Sequence, residues 1–216
     1  MKDIFSYNAN TDYNAYMNWR TNQHDHLHNM QVVASGFANA SLALVKQIVV
    51  TGNIRKEADE LIFPILFNAN HAIEVYLKTI NWSLNLILNS KESYLNTHDL
   101  QKLLNSVKEK SIEVEKSFDF EHHYGDLEKY IGELYKKIEI ETNKGQTFSD
   151  ITFARYALTR DKEPQFYITQ FDNVVVDLPN FYKVFSKVFD NLENLTHYYQ
   201  ETLQYKYDAH VEFYHE

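Results

Sequence analysis

The sequence predicts an all-α protein: a helical bundle of four to five main helices, with a small hairpin or extended insertion before the last long helix. Three observations carry that expectation. Gly and Pro number only 5 and 3 in 216 residues, too few breakers for a chain of many short strands. Apolar residues recur at alternating spacings of three and four through most of the chain. The one long stretch that loses this period, residues 142–177, lies just ahead of the final periodic segment.

The first clear helix is "HLHNMQVVASGFANASLALVKQIVV", residues 26–50. Leu27, Met30, Ala34, Phe37, Ser41, Leu44 and Ile48 form one seam along it. Ala34, Gly36, Ala38, Ala40 and Ala43 let a partner helix come close, and Thr51, Gly52 and Asn53 supply its stop. Its run from Val32 to Val50 is interrupted by Asn39, Lys46 and Gln47, so it reads as a buried helix and not a membrane span. Residues 12–23 form an earlier helix or extend this one. The second helix covers about 56–89, with Ile65, Ala69, Ile73, Tyr76, Ile80, Leu84 and Leu88 as its seam. Pro64 either starts its main part or kinks it.

In "NTHDLQKLLNSVKEKS", Thr97 is the expected N-cap, Asp99 answers the macrodipole, and Leu100, Leu103, Leu104 and Val107 are the apolar face. A fourth helix is expected over 125–140, on Leu127, Ile131, Leu134 and Ile138. The β-branched and aromatic clusters from Phe153 to Val176 predict a hairpin or extended insertion. The last helix begins near Leu178, with Phe185, Val188, Leu192, Leu195 and Tyr199 in line. The tail, 206–216, docks on a partner or frays. No repeat or low-complexity linker divides the chain, so 1–216 is one domain, with 1–23 as an N-terminal extension.

Composition bounds the function. A net charge of -9 repels phosphate at long range, which disfavours non-specific nucleic-acid binding but leaves room for a local RNA site. With no Cys, disulfides, thiolate metal sites and thiol catalysis are excluded. No basic segment followed by an apolar run opens the chain, and a soluble cytoplasmic protein is expected. The 16 Tyr and 14 Phe fill core volume and supply stacking surfaces. No Gly-rich phosphate loop and no Gly-x-Ser-x-Gly turn is present.

Three stretches, "FPILFNANHAIEVYLKTI", "THDLQKLL" and "FARYALTRDKEPQFY", stand in that order ahead of the final helix. Together they resemble the HEPN-like superfamily of prokaryotic helical proteins. Its members often show a "HAIELxLK" helix, a "GHDLxxLL" helix start and an "RYPxD"-like insertion. The resemblance runs over roughly 61–199; Thr97 replaces the usual Gly, and Ala157 stands where Pro is often found. It implies a four- to five-helix bundle, often a homodimer, working in phage defence or a toxin–antitoxin system beside a protein partner or RNA. Active members are metal-independent ribonucleases with an Arg, four to six residues, then a His, in which Arg stabilises phosphate charge and His moves the 2′-hydroxyl proton.

His197 is the natural histidine of that pair, but Asp190, Asn191 and Leu192 occupy the positions where its Arg would stand. The spacing is met instead by Arg20 and His26, with His24 as an alternative partner. The first reading is therefore a dimerising interaction or RNA-binding component that lacks the usual pair. The second is an endoribonuclease on Arg20 with His26 or His24, or on His197 with an Arg from elsewhere in space. A third is nucleotide binding on Arg155, Arg160 and Tyr156, where an arginine beside aromatics suits a phosphate or base, or equally a salt bridge.

His71, Glu74 and Lys78 share one helical stripe and read as a structural polar strip, with Glu74 and Lys78 an ordinary i,i+4 pair. His24 and His28 have metal-gripping spacing, but no third ligand follows at motif distance, so no metal or other cofactor is expected. His98 and Asp99 start a helix, and His122 and His123 receive no role.

Overall fold

The computed structural model describes residues 2–141, 147–149, 151–159, 161–169 and 172–213. Among them run α1 (His26–Val50), α2 (Ala58–Ile87), α3 (Leu100–Val114), α4 (Phe120–Ile138), a one-turn α5 (Phe166–Thr169) and α6 (Leu178–Phe213). The architecture is an all-α bundle. α2 is its axis, packed on α1, α3 and α6, and α4 closes the far side against α3 and α6.

Helix ends follow local chemistry. Asp25 caps α1 by accepting from the His28 N–H at 2.9 Å. At its other end Gly52 turns left-handed at φ 62°, Gly52 N–H donates to Val49 O, and Asn53 N–H donates to Ile48 O. That is the Schellman arrangement. Asn89, at φ 59°, ends α2 the same way, bonding Leu86 O while Ser90 bonds Asn85 O. Asp99, rather than Thr97, is the N-cap of α3 and accepts from Lys102 N–H at 3.1 Å. Thr97 instead accepts from Asp99 N–H at 3.1 Å, two residues upstream of the cap. Pro64 lies inside α2, where it withholds a donor only from the exposed Glu60 carbonyl.

Several expectations shift. The buried stripe of α1 is Gln31, Ala34, Ala38, Ser41, Val45 and Ile48: Ala34, Ser41 and Ile48 are as expected, and Gln31, Ala38 and Val45 stand one residue on from Met30, Phe37 and Leu44. α1 is apolar and long enough to cross a membrane by length and composition, yet it is buried on this stripe alone, with Val33, Val49 and Val50 exposed. Residues 12–23 hold only a 3-10 turn at Thr11–Tyr13. The β-ladder is earlier than expected: β1 (Glu139–Glu141) pairs antiparallel with β2 (Thr147–Ser149), directly after α4. The following stretch contains a 3-10 turn at Ile151–Ala154, a lone bridge between Leu158 and Pro164, and α5. α6 does not stop at 206. It runs on to Phe213, and the Lys206 ammonium donates to the Leu86 and Ile87 carbonyls at the end of α2. A cation there meets both the unpaired carbonyls and the helix dipole.

The core is one aromatic-rich cluster. Phe181 and Phe185 stack at 3.9 Å, Tyr130 meets Phe185 edge-on at 4.7 Å, and Leu100, Leu103, Leu104 and Val107 are fully buried. Ile73, on α2 and fully buried, tests this packing. Ile73→Ala is expected to destabilise by about 2–5 kcal/mol, read as a lower urea midpoint. Val50→Ala, at a position 77% exposed, should stay within about 0.5 kcal/mol.

Candidate functional site

Residues 67, 71, 74, 78 and 82 are spaced four, three, four and four apart on α2, so they lie on one face. In the structure that face is a strip of alternating rings and charges. The His71 imidazole lies parallel to Phe67 at 5.8 Å and meets Phe37 of α1 edge-on at 4.4 Å. The Arg155 guanidinium sits over the same Phe67 ring at 5.6 Å and equally over its neighbour Tyr156 at 5.6 Å. Thus Phe67 joins the helix stripe to the insertion, two features that the sequence left apart. Arg160 lies outside the described residues.

At the centre, Glu74 accepts from the Lys78 ammonium at 2.8 Å and meets His98 Nδ1 at 2.9 Å, both on Oε1. Glu74 and Lys78 are buried, while the His98 side chain is 75% exposed, so the histidine is the outward end of the triad. Lys78 also lies over the Tyr94 ring at 5.4 Å, and Tyr94 meets Trp82 edge-on at 5.8 Å. His26 stacks on Trp82 at 6.2 Å and closes the strip. The fixed charges, Lys78 and Arg155 against Glu74, leave one net positive charge in a chain of net charge -9.

Burial pushes the His71 pKa down. Glu74 pulls it up, and Arg155, Lys78 and His98 push it down again, for a net lowering. The ring is therefore neutral near pH 7, able both to accept and to donate.

The loop between α2 and α3 has no regular structure, yet α2 holds it at three points. Asn85 donates to Ser93 O at 2.5 Å, Asn81 accepts from Leu95 N–H at 3.2 Å, and Glu74 takes His98. These bonds set Tyr94 and His98 against the strip.

The other candidates separate. Arg20 lies in a turn before α1, and its carbonyl oxygen meets the His28 ring at 2.9 Å, while His26 faces Trp82. His197 meets Gln31 Nε2 at 2.8 Å, 3.8 Å from the Glu193 carboxylate. That carboxylate also accepts from Tyr76 at 2.6 Å and Ser35 at 2.8 Å, tying α1, α2 and α6 together. Burial raises the Glu193 pKa, but the bonds from Tyr76, Ser35 and Gln31, with the charge of His197, outweigh it and hold the group low. At the positions of the missing Arg, Leu192 is buried in the core and Asn191 donates to His123 O at 3.1 Å. Among the described residues no group of three or more His, Asp or Glu side chains is placed to hold a metal.

Sequence reasoning missed Trp82, Tyr94 and Glu193. Trp82 was within reach, since it stands four residues beyond Lys78 on the same stripe. Tyr94 was not, because its place depends on Asn81 and Asn85 gripping a loop without period.

The His71 environment sets a pH dependence. The folded ring takes its proton at a lower pH than the unfolded chain does, so between the two values the unfolded state binds more protons. Stability is whole above the ordinary histidine pKa and declines as pH falls toward the folded value. The melting temperature should therefore drop as pH falls below the ordinary histidine value of about 6.5, and His71→Gln should flatten that slope. His123, also lowered by burial, supplies a residual slope of the same sign.

No protein-family model matches the chain, no curated protein matches it, and no solved structure matches it, so the function of the strip rests on its own chemistry.

Proposed function

We propose that this is a cytoplasmic, HEPN-like RNA-binding component of a bacterial defence or toxin–antitoxin system, which grips single-stranded RNA along the α2 strip. The observation that carries the reading is Arg155 laid over Phe67 and Tyr156, in line with the His98–Glu74–Lys78 triad, Tyr94 and Trp82. Cations interleaved with rings are what a single strand needs: charge for its phosphates and flat apolar surface for its bases. A net charge of -9 fits a short-range site of this kind and disfavours a broad electrostatic footprint. Self-association belongs to the same proposal. Lys46 is the only Lys, Arg, Asp or Glu on α1, so two acidic copies can meet across its outer face with little repulsion.

A second reading, a metal-independent ribonuclease, is favoured by one observation. Neutral His71 and Arg155 share the Phe67 ring, which puts a base beside a phosphate-stabilising cation. The pair would then be His71 with Arg155, not Arg20 with His26.

Fluorescence anisotropy with a labelled single-stranded RNA tests the first reading. Arg155→Ala should weaken binding and make the slope of log affinity against log salt shallower by about 0.7, one phosphate contact. Tyr94→Ala should cost about 1–3 kcal/mol, the worth of one stacked base. RNA bound equally well by both variants would sink the proposal. Incubation of RNA with EDTA separates the second reading. Cleavage that persists in EDTA and disappears in folded His71→Gln would make the strip catalytic; binding without cleavage leaves it a grip.

A further inference from the structure

Beyond Trp82 the strip opens into a cavity of about 480 Å³ between the start of α1, the end of α2 and the later turns of α6. That volume falls within the range of small-molecule sites, roughly 300–1,000 Å³. Trp82, His26, Leu86 and Tyr207 supply rings and apolar wall, and Gln200 and Gln204 supply amides one helical turn apart on α6. Among the described residues no Lys or Arg lines it, and Asp25, which does, is a carboxylate. A phosphate is therefore a poor occupant. The phosphate-seeking cation, Arg155, lies at the opposite end of the strip, over Phe67.

The amide groups say what is wanted. The Gln200 side-chain nitrogen is buried with no hydrogen-bond partner, a costly state for a donor, and turning the amide into the cavity to meet a ligand acceptor relieves it. Gln204 donates its own nitrogen to Asp208 at 2.8 Å, so its free group is the acceptor oxygen. A donor and an acceptor one turn apart, beside an indole, match an uncharged planar heterocycle whose edge carries an acceptor and an N–H. The geometry points to a nucleobase pocket: one base of the strand turns in beside Trp82 and is read by Gln200 and Gln204. This rests on the RNA reading of the strip and adds that one nucleotide is held by its base in a formed cavity.

Saturation-transfer NMR on the full chain, with the four ribonucleosides and with ribose 5-phosphate at millimolar concentration, tests the pocket without the strip. At least one nucleoside should bind through its base protons, and ribose 5-phosphate should not. Gln200→Leu, which keeps the side chain's bulk, should weaken the bound nucleoside by roughly tenfold, as should Trp82→Ala. Arg155→Ala should leave nucleoside binding unchanged while weakening an oligonucleotide. Failure of all four nucleosides, or binding indifferent to Gln200→Leu in a variant with the wild-type melting temperature, would overturn the pocket. Nucleoside binding that needs Gln200, beside oligonucleotide affinity indifferent to Arg155→Ala, would keep the pocket and remove the strip.

Discussion

A thirty-residue helix at the centre of a bundle has little solvent face, so nearly every polar side chain on it must find a partner in the protein. Half of α2 is buried, and seven of those fifteen residues are polar: Asn70, Glu74, Lys78, Thr79, Asn81, Ser83 and Asn85. Each has an answer. Thr79 and Ser83 bond back to carbonyls of the previous turn. Asn70 accepts from Tyr130 of α4 at 2.6 Å, and Asn81 donates to Ser106 of α3 at 2.8 Å. Asn85 and Glu74 reach the loop before α3. The polar groups of α2 thus fix which neighbours sit where, while the apolar ones supply burial.

The strip follows from that constraint. A buried carboxylate needs a cation, and Lys78, one turn on, is the nearest available. The remaining capacity of the same oxygen takes His98, which draws the head of α3 down onto α2. Tyr94 then falls within reach of both Lys78 and Trp82. On the other flank, Phe37 and Phe67 hold His71 and leave a ring face for Arg155. A binding surface emerges from side chains that, one by one, are satisfying the requirements of a helix core.

How much of this the sequence discloses depends on range. The five long periodic helices are legible, because burial repeats every three or four residues. The seams of α3 and α6, such as Leu103 or Leu192, are buried as their spacing requires. In α1 the period is right and the phase is off by one at several positions, because small residues line every side and the apolar pattern alone does not choose between Phe37 and Ala38. The cap at Asp99 in place of Thr97 turns on a single hydrogen bond. The polar stripe is legible as spacing, but its union with Arg155 is not. Eighty-four residues separate His71 from Arg155, and only the fold brings both to Phe67. Glu193 is legible as the i−4 neighbour of His197, but its bonds to Ser35 and Tyr76 come from helices far away in the chain.

The Glu74–Lys78 pair bears on why this face is polar at all. Two well-packed apolar side chains in such a position commonly serve stability as well as a buried ion pair does, or better, because desolvating both charges offsets most of their attraction. Stability alone therefore gives little reason for a carboxylate and an ammonium at this depth. Position gives a better one. An apolar residue at 74 would leave His98 without its acceptor, and the exposed imidazole would no longer be held over the strip. An apolar residue at 78 would remove the charge over Tyr94. The pair is better understood as a fixture that holds one histidine and one tyrosine at set places on the surface, with the core of α2 as its mount.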